Sequence, residues 1–269
     1  MQVITAIEAG QVGEDSEDWV YADPNLVVVL DGATARTGTG CVHGVAWFVR
    51  QLGPAIVQGA SNTERSIAAA VADAIRHVAS LHPTCDLAHP GTPSAAVGVL
   101  RLAEGAEYAE YFVLGDVSVV MDVDGEISLV TDNRVSLTAA AERAEANRYP
   151  IGSAEKRTAL LSMKHAELAA RNRPGGYWVA ETNPDAVNHA LTGRTPQRGL
   201  RRFAVLTDGA ARAVEFGLYD WQSALTLMQE HGPTELIRQV RAAERADPIG
   251  SRWPRNKQSD DAAVVFGMT

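Results

Sequence analysis

Cysteine and aromatic side chains are both scarce in this sequence. Its 269 residues include two cysteines, Cys41 and Cys85, and only 6% of the residues are aromatic. The two cysteines are far apart, and neither a Cys-x-x-Cys spacing nor a Cys/His pairing is evident. The pattern therefore predicts neither a disulfide framework nor a zinc knuckle, and we expect a reducing, cytoplasmic environment.

Positive charge and long apolar runs are lacking as well. The chain has 24 Lys and Arg against 33 Asp and Glu, which gives a formal net charge of −9. Nucleic acids and anionic membranes need partners with a surplus of basic residues, so we expect neither as a partner. No segment approaches the roughly 18–20 apolar residues of a membrane span, and the N-terminus does not have the pattern of a signal peptide.

The apolar residues that are present suffice for a buried core, since they make up 46% of the chain. Short runs rich in Val and Leu predict five strands, at residues 26–30, 95–102, 108–114, 203–206 and 262–266. Segments 117–123 and 126–130 flank Asp124-Gly125, which is a strong hairpin signal. Together these segments predict a largely antiparallel sheet system.

Helical periodicity is clear in three places. Apolar residues recur at helical spacing over residues 42–52 and 67–78, and a third helix starts near Pro233. Residues from about 139 to 200 mix alanine-rich stretches with proline and glycine breaks. We interpret this stretch as an insertion or cap within a single domain that spans residues 1–269.

Aspartates stand at the ends of the predicted strands. Three strands are followed by an acid next to a glycine, and a fourth acidic pair directly precedes the last strand: Asp31-Gly32, Gly115-Asp116, Asp208-Gly209 and Asp260-Asp261. In an antiparallel sheet the start of one strand lies beside the end of its neighbour. All four sets are therefore expected at one rim of the fold.

Carboxylates crowded at one rim repel one another and lose hydration, which is costly unless a cation compensates them. Mg²⁺ and Mn²⁺ are the natural hard cations for oxygen ligands. Two such ions about 3.5–4 Å apart activate a water for in-line attack on phosphorus. Each Asp-Gly pair has the alternative of a simple turn, but the repetition at matching strand ends favours a shared metal site.

The ordered set of motifs resembles the protein phosphatase 2C family over nearly the whole chain. The matching residues are Glu17-Asp18, Asp31-Gly32, Gly115-Asp116, Thr207-Asp208-Gly209 and Asp260-Asp261. The resemblance implies an α+β fold, a four-layer α-β-β-α sandwich with two central, mainly antiparallel sheets. It also implies a metal-dependent phosphomonoesterase that uses two Mn²⁺ or Mg²⁺ ions, with a third in bacterial members. Phosphoserine or phosphothreonine proteins are its default substrates.

The same resemblance implies which residues hold the two principal ions. Asp31 would be the carboxylate that bridges them, and Gly32 would offer its carbonyl oxygen. Asp208 and Asp260 would be terminal ligands of one ion. Glu17 would be a water-mediated ligand of the other.

Three further acids have more peripheral roles by the same resemblance. Asp116 would hold the third ion, and Asp18 would support the site from behind the metal ligands. Asp261 stands where the family usually has Asn and is therefore a ligand of second choice.

The sequence departs from the family pattern at two positions. Gly13 stands where the family often has a phosphate-binding Arg, and Ala33 replaces the histidine proposed to protonate the leaving group. Arg36 could supply the missing guanidinium, which suits phosphate oxygens. His43 could supply the acid, since its pKa is ordinarily near neutrality. The alternative for both is a surface or helix-terminal residue.

Two other functions stay open from the sequence. The departures at Gly13 and Ala33 are typical of a catalytically weak protein that binds phosphorylated partners without turnover. The segment at 139–200 could instead limit access to the site, which would favour a small-molecule phosphate as substrate.

Overall fold

Two antiparallel sheets form the centre of the fold in the computed structural model, which describes residues 2–11, 13–103 and 105–269. The strands are β1 (Gln2–Glu8), β2 (Trp19–Ala22), β3 (Leu26–Gly32), β4 (Ala95–Arg101), β5 (Tyr108–Leu114), β6 (Ser118–Val123), β7 (Glu126–Val130), β8 (Leu191–Pro196), β9 (Leu200–Leu206) and β10 (Ala262–Met268). One sheet has the order β1-β10-β9-β6-β7 and the other the order β2-β3-β4-β5-β8. Every neighbouring pair is antiparallel.

Most of the helices pack on the outer faces of the two sheets, and the others form a separate group. They are α1 (Val45–Ala60), α2 (Ile67–Ser80), α3 (Arg134–Leu137), α4 (Ala140–Asn147), α5 (Ala154–Ala170), α6 (Asp208–Glu215), α7 (Trp221–His231) and α8 (Pro233–Ala246), with a 3₁₀ helix at Pro184–His189. None of the helices within the described residues combines the length and the apolar character that a bilayer crossing requires.

Successive side chains along the buried strands point to opposite faces of the sheet, so each sheet packs against a different layer on each side. In β3, Val27 and Val29 pack between the two sheets, whereas Leu26, Val28 and Leu30 pack with residues of α1 and α2. A strand turns successive side chains to opposite faces, so a continuous Val and Leu run serves two cores at once. On the other side, β9 and β10 share a core with α6, α7 and α8. The predicted four-layer α-β-β-α sandwich is confirmed.

The helix predicted at 42–52 begins later than the periodicity indicated. Helix α1 starts at Val45, and Val42 lies before it with 81% of its surface exposed. Gly44 occupies the N-cap with φ 80°, a backbone conformation that glycine adopts without a Cβ penalty. Val42 therefore does not contribute to the apolar face of this helix.

The segment at 139–200 contains both added helices and part of a central sheet. Helices α4 and α5 pack together, and the buried Lys156 of α5 donates from Nζ to the carbonyl oxygen of Ala146 at 2.8 Å. Strand β8 pairs with β5 at the sheet edge. The single-domain interpretation with an insertion at this position stays a prediction.

Candidate active site

The ends of several strands meet at one edge of the two sheets. Strand β3 ends at Asp31-Gly32, Asp208 follows β9, Asp260 precedes β10, and the turn between β5 and β6 carries Asp116. Strands β9 and β10 pair antiparallel, so the end of one lies beside the start of the other. These four aspartates line one cavity of about 150 Å³.

Asp31 and Asp208 are direct neighbours in this cavity. The backbone N–H of Asp208, the first residue of α6, donates to Oδ2 of Asp31 at 3.1 Å. Burial raises the pKa of Asp31 well above its usual range, and the charges of Asp208, Asp18, Asp116 and Asp260 add to that rise. One donor does not compensate this concentration of negative charge.

The pKa values of two other cavity acids, Asp208 and Asp116, are raised as well. Burial, followed by repulsion from Asp260, raises the pKa of Asp208 to about 7. Burial also raises the pKa of Asp116 to about 6. Raised carboxyl pKa values in the absence of bound cations are expected at a site that binds cations, because the cations would compensate the negative charge.

The cavity acids are spread more widely than the ligands of a single ion. Within residues 2–11, 13–103 and 105–269, they do not form a group of three whose oxygens all lie within 4.8 Å of one another. Mg²⁺ ordinarily takes one or two carboxylates and keeps several of its waters. Among the described residues, the cavity acids therefore do not form a three-carboxylate site for one ion.

Asp260 already has two cationic partners. Its Oδ2 accepts from Nη2 of Arg212 at 2.9 Å, and Nζ of Lys257 lies 2.5 Å from its Oδ1. The same ammonium donates to Oγ1 of Thr34 at 2.8 Å, and that hydroxyl donates to Oε2 of Glu17 at 2.7 Å. Lys257 thus supplies positive charge between Glu17 and Asp260, where the sequence had placed metal ligands.

Two glycines allow the backbone segments of the site to approach closely. A Cβ on Gly32 would lie 2.3 Å from the carbonyl oxygen of Glu17, and one on Gly209 would lie 1.9 Å from the carbonyl oxygen of Asp261. Both distances are far inside van der Waals contact. Any side chain at either position would push Asp31 or Asp208 away from its neighbours.

Asp18 and Asp261 lie behind the cavity. Buried Asp18 accepts from Oγ1 of Thr207 at 2.8 Å, and burial raises its pKa well above the usual range. The two oxygens of Asp261 accept from the backbone N–H of Gly10 at 2.7 Å and of Glu17 at 2.6 Å. Asp18 therefore supports the segment before α6, and Asp261 holds the N-terminal segment against β10.

Besides Lys257, two cationic side chains line the cavity beside the acids. One is Arg36, as expected from its position after Asp31, and the other is Lys164 of α5, which the sequence analysis missed. Burial lowers the pKa of Lys164, and the charge of Glu167 opposes that shift. Neither cation has a salt-bridge partner in the described part of the chain, so both are available to an anionic ligand.

His43 does not line this cavity, in contrast to the role proposed for it as an acid. Its ring stacks on Trp47 with ring centroids 4.2 Å apart, and its Nδ1 lies 3.6 Å from the sulfur of Cys41 and 3.5 Å from that of Cys85. The expectation that no Cys/His pairing exists is therefore wrong. Folding brings together residues that lie about forty positions apart in the sequence.

A buried charge network holds the segment around Asp260. Glu244 is fully buried and accepts from Nη1 of Arg212 at 2.6 Å and Nη1 of Arg241 at 2.8 Å. Arg241 also donates to the carbonyl oxygen of Asp260 at 2.6 Å. The sequence offered no signal for this network, because charged residues on amphipathic helices are ordinarily exposed.

Structures of bacterial phosphatases share this architecture. MsPP from Mycobacterium smegmatis, solved with cacodylate, has 18% sequence identity and a TM-score of 0.58, covering 99% of this chain and 97% of that one. The catalytic domain of PstP, solved with two manganese ions, has 14% identity and a TM-score of 0.57, covering 98% and 96%. Stp1 from Staphylococcus aureus has 11% identity and a TM-score of 0.59, covering 100% and 94%. The fold is thus that of the PPM Ser/Thr phosphatases.

The sequence itself matches the family model described as Protein phosphatase 2C over residues 5–243. The chain belongs to the protein phosphatase 2C family, in agreement with the resemblance seen in its motifs. A search of curated proteins returned no significant match.

Proposed function

We propose that the protein is a metal-dependent phosphomonoesterase whose substrates are phosphoserine and phosphothreonine in proteins. The observation that supports this most strongly is the shared cavity of Asp31, Asp116, Asp208 and Asp260. Burial raises the pKa values of the first three, and repulsion from other cavity aspartates adds to the rise for Asp31 and Asp208. Family membership supports the same reaction class.

The residues present fit two divalent cations, Mn²⁺ or Mg²⁺. Asp31, Asp208 and Asp260, with Glu17 and the Gly32 carbonyl, would hold them, and Asp116 would hold a third. Bound there, such ions supply a water of lowered pKa and positive charge for the phosphoryl oxygens. To bind such an ion through Oδ1, Asp260 would have to give up the ion pair between that oxygen and Lys257.

The chain's own cations then bind and orient the phosphate. Arg36 offers a fork of N–H donors, which matches two phosphate oxygens, and Lys164 offers a point charge from α5. Both lie in the same cavity as the acids, so a bound phosphoryl group would be held between the guanidinium and the metal ligands. Arg36 would take the place of the Arg that is replaced by Gly13.

Activity with Mn²⁺ on a phosphothreonine peptide and on p-nitrophenyl phosphate tests the proposal. We expect turnover that requires Mn²⁺ and is lost in Asp31→Asn. Asp124→Asn is the matched control, since Asp124 lies in the β6–β7 turn and its side chain is 75% exposed. No turnover in the wild type, or equal turnover in Asp31→Asn, would refute the proposal.

A catalytically weak phosphate-binding protein is the second candidate. The ion pair between Lys257 and Asp260 favours it, because the ammonium competes with a cation for that carboxylate. Calorimetry separates the two functions. Binding of a phosphopeptide without Mn²⁺ binding or turnover would support the weak form, whereas tight Mn²⁺ binding with turnover would exclude it.

A small-molecule phosphatase is the third candidate. Helix α5 contributes Met163, Lys164 and Glu167 to the cavity, so the added helices border the site and narrow it. A panel of phosphorylated metabolites assayed beside phosphopeptides tests this candidate. Preference for the peptides would count against it.

A further inference from the structure

Four potential metal ligands meet away from the acidic cavity. Cys41 and His43 lie in the loop before α1, and His82 and Cys85 lie in the loop after α2. One ligand atom from each residue lies within 4.8 Å of the other three. The four residues come from two loops that fold against each other.

The measured separations agree with a tetrahedral ion between these atoms. The two sulfurs are 3.6 Å apart, and Nδ1 of His43 is 3.6 Å from Cys41 Sγ and 3.5 Å from Cys85 Sγ. In a tetrahedral site, Zn–S bonds of about 2.3 Å and Zn–N bonds of about 2.0–2.1 Å place two sulfurs about 3.8 Å apart and a sulfur and a nitrogen about 3.5–3.6 Å apart. The ligand atoms of Cys41, His43 and Cys85 therefore already have the spacing of a zinc site, and His82 lies within 4.8 Å of them.

His82 provides independent support for a ligand at this point. It is 7% exposed, and its Nδ1 lies 2.9 Å from the carbonyl oxygen of Val78. A carbonyl only accepts, so Nδ1 carries the proton and Nε2 keeps a lone pair. Nε2 is buried and has no hydrogen-bond partner within the described residues. A metal ion would satisfy this acceptor, and the Val78 bond would orient the ring as outer partners of metal-binding histidines do.

The surroundings hold both loops in place. The backbone N–H of His43 donates to Cys41 Sγ at 3.4 Å, which stabilises a thiolate. The N–H of Asp86 donates to the carbonyl oxygen of Gly40 at 2.8 Å, joining the loops beside the cluster. Trp47 stacks on His43 and contacts the ring of His82 edge-on, with centroids 4.8 Å apart. The cluster is thus enclosed on one side by an aromatic wall.

We propose that Cys41, His43, His82 and Cys85 form a structural Zn²⁺ site. Two thiolates and two imidazoles in a tetrahedral set select zinc over Mg²⁺ or Mn²⁺, which prefer oxygen ligands. Four protein ligands leave no open position, so the ion has a structural role. This site is separate in position and in chemistry from the acidic cavity, and it does not depend on the proposed phosphatase activity.

Such an ion would tie the ends of the α1–α2 pair to the active-site edge. The loop at residues 33–44 runs from Gly32 to α1 and carries Arg36, which lines the acidic cavity. The other loop ends at Ser94, whose hydroxyl accepts from Nη1 of Arg171 at 2.8 Å. A zinc ion would therefore hold in place the loop that carries Arg36, although the ion itself would not contact the substrate.

Elemental analysis of protein purified without added metal tests the proposal. We expect about one zinc per chain in the wild type and in Asp208→Asn, and a loss of at least tenfold in Cys41→Ser and in Cys85→Ser. His77→Ala is the matched control, because His77 is an exposed histidine of α2 and should keep the zinc.

Cobalt substitution covers the case in which the cysteine variants fail to fold. Wild-type protein refolded with Co²⁺ should show thiolate-to-cobalt charge transfer and the intense d–d bands of a tetrahedral site, and adding Zn²⁺ should remove both. Wild-type protein without zinc and without these bands would overturn the proposal. A Cys41–Cys85 disulfide in protein kept under reducing conditions would overturn it as well.

Discussion

Raising the pH should destabilise the protein when divalent cations are absent from the acidic cavity. Asp208 and Asp116 have pKa values raised to about 7 and about 6 from an ordinary value of 3.8. A carboxyl whose pKa is raised on folding binds its proton more tightly in the folded state than in the unfolded state. Its contribution to stability is complete below the unfolded pKa and is lost as the pH rises through the folded pKa.

The magnitude follows from the size of these shifts. One pKa unit corresponds to about 1.4 kcal/mol, so the Asp208 shift alone corresponds to about 4 kcal/mol at most. The carboxylates are partly open to water and share the same repulsion, so their contributions do not add. We expect the free energy of unfolding to fall by about 2–4 kcal/mol between pH 5 and pH 8.

Urea denaturation at several pH values, after dialysis without divalent cations, measures this change. Adding Mn²⁺ should restore stability mainly at the higher pH, where the acids are ionised and bind the cation. Asp208→Asn removes one titrating acid and should flatten the pH profile, whereas the exposed Asp124→Asn should not. A profile that is flat or rises with pH in the wild type would refute this reasoning.

Three further predictions concern single residues. Glu244→Gln leaves two buried arginines without their carboxylate and should lower the free energy of unfolding, measured by urea denaturation, by about 3–5 kcal/mol. The exposed Glu230→Gln is the control and should leave the free energy of unfolding almost unchanged. Equal effects of the two substitutions would contradict the buried network. Lys257→Met removes the cation that competes for Asp260 and should tighten Mn²⁺ binding in calorimetry by severalfold, so weaker binding would show that the ammonium assists the metal. Arg36→Lys keeps the charge but loses the fork of donors, and it should lower kcat/KM for phosphopeptides by roughly 10- to 100-fold; an unchanged value would place Arg36 outside the phosphate site.

Much of the fold could be predicted from the sequence, because many strands and helices depend on local patterns. Continuous valine and leucine runs predicted β3 and β4, and Asp124-Gly125 predicted the β6–β7 hairpin. Strands β1, β2 and β8 were missed, since their alternation is weak and all their residues except Ala6 and Thr195 are half-buried or exposed. Helix α6 was not predicted, because it follows β9 with only Thr207 between them and no break in the sequence marks where it begins.

The acidic site was predictable for a related reason. Asp31, Asp116, Asp208 and Asp260 each lie beside a strand end, and antiparallel pairing brings such ends to one edge. Position next to a strand is a local property, so the sequence carried it. The position of Lys164 in the cavity was not predictable, because it depends on how α5 packs over the cavity.

The sequence by itself determined strands β3–β7, β9 and β10, helices α1, α2 and α8, and the aspartates at the rim of the sheets. It could do so because periodicity and strand-end position are properties of neighbouring residues. Only the tertiary structure decided that Lys257 pairs with Asp260, that Arg212, Glu244 and Arg241 hold the rim from behind, and that Cys41, His43, His82 and Cys85 converge. Those arrangements join residues far apart in the chain, and their distances arise from the packing of whole helices and loops.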